Sequence, residues 1–497
     1  MIAHLFSRRQ QDAPKPALSR AGLVLALLLA CGPSLAEEAP PAPPAPTGIP
    51  VAASLEPSRS DFLRRLARMH MGGSLSLNWR NVGPRTPGFE TQIQNEVYLA
   101  DIYFGVDGPF VDGIPFRMEW NMPTGSQGQI QLSQLNFEYD RFDKFVFQFG
   151  KFLVPFGRYN ELYRPDQFLT VTRPLLYASP DSLDLVVRSN SPRPPFSTGY
   201  TDIGARASYY PKLKHSYSFA PAEVTLFVVN GLGENGNRQR TFPDPDNLGI
   251  ANPPTSGVNI DFGHRNNNLA DNNNAKDIGG RLVFALGDVP YAWPVPEGAT
   301  DRKVVMLGLS GMGGQYDLEA NLNHQKYGLD LAFEYFGFSF AGEYLYSFNQ
   351  FLSPIAVSSA AGTLLTPVQQ TRQREIIHGY FIQASFPIMK KPPKGKRVIG
   401  ILVFNQLYRH GPQLDLFLNY NDAGRVIPSL LAYKANTPYI DRRIDKYTAA
   451  INWQLAEHFF FKFDYSYWVM GHSTARSANS IGLVDIYQSV VSLVMAF

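Results

Sequence analysis

The chain has 497 residues, with 45 Lys plus Arg against 42 Asp plus Glu, a single cysteine and a mean hydropathy of −0.17. Near-balance of charge excludes a nucleic-acid partner recruited by a strong positive field, and one cysteine excludes a disulfide framework. No stretch beyond residue 36 holds eighteen consecutive apolar residues, which excludes helical membrane spans.

Residues 1–36 read as a signal peptide. Arg8, Arg9, Lys15 and Arg20 form a basic n-region, Ala21 to Ala30 is a short apolar h-region, and Ser34-Leu35-Ala36 offers small residues for cleavage. A rival cut exists, because Leu28-Leu29-Ala30-Cys31 resembles a lipobox in which Cys31 would carry the lipid. Either cut marks export, and removing 1–36 leaves acidic and basic residues equal in number. Residues 37–68 follow as an Ala/Pro-rich linker and a short basic helix over 58–68.

From residue 69 to 497 the sequence is polar on average and rich in aromatics, which number 35 Phe and 25 Tyr in the whole chain. About sixteen segments of strand length follow one another. They span 70–80, 93–106, 114–122, 129–140, 144–154, 200–210, 222–231 and 277–287. The second eight are 303–313, 326–336, 338–348, 374–386, 397–408, 443–454, 457–469 and 486–497. Their pattern has period two: Phe459, Phe461, Phe463 and Tyr465 face one way, and Lys462, Asp464 and Ser466 the other. Phe and Tyr on the outward position of strand after strand predict an all-β, transmembrane antiparallel β-barrel.

Connection lengths agree. With the amino end in the periplasm, odd-numbered connections are extracellular, and the longest segments, 156–198, 232–275, 349–372 and 410–442, are all odd. Even connections are mostly short, such as Gly337 and Ala456. The last strand ends on Phe497, with Met495, Leu493 and Val491 on the same face, a terminus that resembles the signal read by the bacterial barrel-assembly machinery. The predicted home is the outer membrane of a bacterium, among its lipid and lipopolysaccharide.

The third extracellular connection carries specific motifs. "FGKFLVPFGRYNE" (Phe149–Glu161), "VVNGLGENGNR" (Val228–Arg238) and "KDIGGRLVF" (Lys276–Phe284) resemble the phosphate-selective porin O/P family. That resemblance implies a homotrimeric, sixteen-stranded porin whose third loop folds into the barrel, passing small ions and solutes with a mild anion or phosphate preference. Arg158, Arg164, Arg173, Arg188 and Lys151 are then the expected constriction and anion-binding residues, since guanidinium forks match phosphate and carboxylate oxygens. Arg117, Glu119, Arg206, Arg281, Lys462 and Asp464 are expected on the lumen wall. The bland alternative for these charges is mutual pairing that holds the loop to the wall. The alternative for the whole chain is a plugged or narrow structural or adhesive barrel acting through its loops.

Other chemistry finds no footing. Gly231-Leu-Gly233-Glu-Asn-Gly236 matches G-x-G-x-x-G, but a polar loop follows where a dinucleotide site needs a helix. Asn266 to Asp277 lacks calcium-loop spacing, and the nine histidines are scattered. No enzyme activity, cofactor, metal or nucleic-acid partner is expected.

Overall fold

Sixteen strands, each hydrogen-bonded to its sequence neighbours, close into an antiparallel barrel in a computed structural model. The structure describes residues 69–84, 94–111, 114–122, 130–177, 196, 199–211, 215–235, 259–260, 275–288, 303–317, 321–355, 369–388, 396–410, 442–472 and 484–497. The expected signal peptide, the linker with its helix, and Cys31 lie outside them, as do Arg188 and most of 232–275.

The barrel strands are β1 His70–Pro84, β2 Gln94–Val111, β3 Ile114–Met122, β4 Gln131–Phe142, β5 Phe145–Leu153, β6 Thr201–Tyr209, β7 His215–Val229 and β8 Asp277–Asp288. The second half is β9 Val304–Gln315, β10 Asn323–Tyr335, β11 Phe338–Ile355, β12 Gln369–Pro387, β13 Arg397–His410, β14 Arg442–Ala456, β15 Phe459–His472 and β16 Val484–Ala496. Each expected segment coincides with one strand, although several run longer. β11 and β12 stay in register out to Ile355 opposite Gln369, so much of the expected loop 349–372 is hairpin. At about 3.4 Å per residue these strands exceed what a tilted crossing of a roughly 25 Å apolar band needs, and the hairpin stands proud of the membrane.

Closure brings β1 against β16, in register from Ser74 opposite Ala496 to Pro84 opposite Ile486. Phe497 completes it, accepting from Gly73 N at 2.8 Å and donating to Gly73 O at 3.0 Å. No barrel strand has an open edge, so the spanning backbone finds its partners within the wall, as hydrocarbon demands.

Alternation sets the two faces. Along β10 exposed and buried residues alternate without a break from Gln325 to Tyr335. Exposed Tyr327, Leu329, Leu331 and Phe333 look outward, while His324, Lys326, Asp330 and Glu334 look inward. The outer wall repeats this with Phe149, Leu226, Leu402, Ile451 and Trp453. Several turns at one rim are tight: Phe336-Gly337 joins β10 to β11 with both residues left-handed, at φ 49° and 81°. The long connections lie at the other rim. An even-stranded closed barrel with an apolar exterior and a polar interior is the architecture of the bacterial outer membrane, and that is where this chain resides.

Candidate functional site: a loop held across the lumen

After β5 the chain turns into the barrel. Gly157, at φ +68°, makes the bend; its Cα lies where a side chain would strike the Tyr177 hydroxyl and the Glu343 carboxylate. One helical turn follows, α1 Arg158–Glu161, all four residues buried. Asn160 pins the neck of the loop: it accepts from Tyr200 N at 2.8 Å and donates to Val154 O at 2.9 Å.

The described loop then touches the wall almost all the way round. Gly157 N donates to Ser310 Oγ on β9 at 3.1 Å, and Tyr159 N to Glu343 on β11 at 3.3 Å. The Tyr177 hydroxyl also donates to Glu343. Across the lumen, Tyr163 donates to Glu119 on β3 at 2.7 Å. Asp464 on β15 accepts from Val171 N at 2.8 Å, Thr172 N at 2.6 Å and Thr172 Oγ1 at 3.0 Å. Asn405 on β13 accepts from Leu175 N, and Asn452 on β14 donates to Leu169 O. Lysines do the same work with charge: Lys446 reaches Arg173 O at 3.1 Å, and Lys462 reaches Pro165 O at 2.7 Å and Phe168 O. Charge-assisted bonds to backbone inside a low-dielectric barrel are the strong kind.

An apolar centre completes the attachment. Phe156, Leu175, Leu176 and Tyr177 are fully buried. Tyr159 stacks on Phe168 at 5.1 Å and Tyr177 at 5.4 Å and meets Phe381 of β12 edge-on at 5.5 Å. Each such pair contributes about 0.5–1.5 kcal/mol beyond the burial of its area.

The expected site residues divide by role. Arg164 pairs with Glu119, Arg173 with Asp101 on β2, Arg281 with Asp330 at 2.7 Å, and Arg158 lies 3.7 Å from Glu334. Lys151 donates to Leu132 O at 2.8 Å, and Arg206 covers the Phe152 ring. Lys462 and Asp464 face inward as loop anchors rather than toward open water. Arg117 is exposed in a recess of about 280 Å³ at the short-turn rim, with His70, Asp107 and Glu138. Between the loop and the β1, β2 and β16 wall a gap of about 40 Å³ remains, lined by Ser76, Asn78, Asp101, Thr170, Arg173 and Lys462. It has room for a few waters.

Burial also sets the loop's protonation. It pushes the Glu161 carboxyl up to about 8, with Glu223 and Asp330 adding to the rise and Arg281 and Arg206 opposing it. Burial beside Glu343 drives the Tyr177 phenol well above its ordinary value, which keeps it a donor.

Sequence reading missed Asp101 because of a bulge. Between Leu75/Ile102 and Leu77/Leu99 the β1–β2 register shifts, which reverses the phase of β2 and turns Asp101 inward. Counting alternate residues cannot see such a slip. The one available signal was a carboxylate in the apolar run Val97-Tyr-Leu-Ala-Asp101.

No family model matches this sequence, and no curated protein matches it either. Among solved structures the chain is similar to OprB of Pseudomonas putida, with 9% identity and a TM-score of 0.46, over 89% of this chain and 96% of that one. It is also similar to the outer membrane channel DcaP of Acinetobacter baumannii (7% identity, TM-score 0.42, 86% and 97% covered). A third is the anion-selective porin from Comamonas acidovorans (11% identity, TM-score 0.41, 86% and 99% covered).

Proposed function

We propose that this chain, exported by its leader, is a narrow outer-membrane porin that passes small hydrophilic solutes by diffusion and assembles as a homotrimer. The observation that carries the reading is the inward loop set against a polar lumen face. The gap between them carries hydroxyl, amide and charged groups beside the apolar Ala100, Phe168, Val171 and Val494, and the polar share of that lining supports a hydrated path. Selectivity is weak in this reading, because Arg158, Arg164, Arg173 and Arg281 each face a carboxylate. A modest anion preference rests on Arg117, exposed in its recess at the short-turn rim. No catalytic role is part of the proposal.

A second reading, a plugged barrel acting through its surface, is favoured by one observation: lumen-facing Lys326, Lys446, Glu343 and Ser347 are almost wholly buried. Planar-bilayer recording separates the two. The porin reading expects small, reproducible conductance steps from the whole protein, and several-fold larger ones when 158–176 is replaced by a short Gly-Ser bridge. Silence from the intact protein with large steps from the bridged one supports the plug. Silence from both, in protein shown to be folded, ends the channel reading.

A further inference from the structure

Among the described residues, those at outward positions of β12, β13 and β14 that ionise are Arg372, Arg374, His378, His410, Arg443 and Asp445, the last buried beneath its neighbours. All six sit at the long-connection end, and five are basic. Toward the short-turn end the same faces carry Phe386, Ile382, Leu402, Ile451 and Trp453. One cross-strand row marks the boundary: Tyr346 opposite His378, His378 opposite Tyr408, Tyr408 opposite Arg443. His378 stacks on Tyr408 at 5.1 Å and 12°, and the Arg443 guanidinium lies 5.6 Å over the Tyr408 ring.

Arg443 is oriented in advance. Asp445 accepts from its Nε at 2.9 Å and lies 2.8 Å from its Nη2, while the side chain stays 37% exposed. Gln406 donates to the same carboxylate at 2.8 Å. The result is a fixed cation on an aromatic platform at the rim of an apolar belt. Arg374 and Arg372 stand four and six residues further along β12, opposite Gln350 and Leu352, and both are exposed.

We propose that this face binds a phosphate-bearing lipid of the outer leaflet. Acyl chains lie on the Ile382, Leu402 and Ile451 belt, the ring row meets the ester level, and Arg443, Arg374 and Arg372 meet the phosphates. Charge chooses the occupant: three arginines with one carboxylate complement an anionic headgroup. A second copy offering the same basic face would be repelled.

The test is native mass spectrometry of the whole protein released from mixed micelles containing bisphosphorylated lipid A or its dephosphorylated form. The expected result is retention of the phosphorylated lipid roughly tenfold above the dephosphorylated one, and a loss of similar size in R372Q/R374Q/R443Q. Folding of the variant is checked by its heat-modifiable migration. If it misfolds, the comparison of the two lipids on the unaltered protein decides. Equal retention of both lipids, or by both proteins, overturns the proposal. So does a variant that loses its oligomer while keeping its lipid, which would assign the face to a second copy.

Discussion

At the scale of single residues, pairing decides what each charge does. Arg164 was expected at the constriction, with pairing to the wall as the alternative, and Glu119 takes both its Nε and Nη2, with Tyr163 on the same carboxylate. Arg164→Glu would therefore set two carboxylates against each other in a site where only the Arg164 side chain, 27% exposed, reaches water. The expected outcome is a displaced loop and larger conductance before any change of ion preference. Glu119→Arg combined with Arg164→Glu should restore the small steps; a double variant as open as the single one would mean the pair does not hold the loop. Glu161 supplies the pH dependence. Its docked form titrates at about 8 and an undocked Glu near 4.3, so docking favours the protonated carboxyl. The contribution is complete below about pH 4.3 and is lost progressively as pH rises to about 8. Protease cleavage within the loop should rise across that window in the unaltered protein and stay flat in Glu161→Gln. Parallel curves would remove Glu161 from the docking equilibrium.

Among the elements, strands were legible and their attachments were not. Alternation placed every barrel strand because the lipid-facing position must be apolar at each second residue, a constraint local enough to read. Inward contacts depend on which strands closure sets opposite the loop, and nothing in the local sequence records that Asp464 lies beneath Val171 and Thr172. Bulges hid more, as with Asp101. Strand ends were blurred where pairing outlasts the membrane, as in the β11–β12 hairpin. Pro155-Phe156-Gly157 is the exception, since a Pro and a Gly directly after a regular strand are local residues that end it in a bend. Gly157→Ala tests how far the loop depends on it. A left-handed alanine costs about 1–2 kcal/mol, and its methyl would also displace Tyr177 from Glu343. Flickering conductance and faster cleavage of the loop are expected with barrel migration unchanged. Quiet, wild-type traces would show the loop to be over-determined by its other anchors.

For the molecule as a whole, the barrel and its inward loop are separable in their energetics: wall strands pair with one another, and the loop adds bonds to the inner face. Phe497 sits at the seam that completes the wall. Its backbone exchanges two hydrogen bonds with Gly73, while the residue as a whole is 57% exposed on the outward face. Removing the ring, Phe497→Ala, leaves both backbone bonds possible and forfeits mainly lipid-facing apolar area, so the finished barrel should lose little of its resistance to heat. Deleting the residue removes the two bonds as well and leaves Gly73 N and O unanswered at the rim. If the terminal ring is chiefly a recognition element for assembly, Phe497→Ala should lower the yield of folded protein in cells while leaving refolding into detergent unimpaired. Deletion should impair both. A Phe497→Ala protein that accumulates normally in the outer membrane would strip the ring of its assembly role and leave Phe497 as the last rung of the β1–β16 seam.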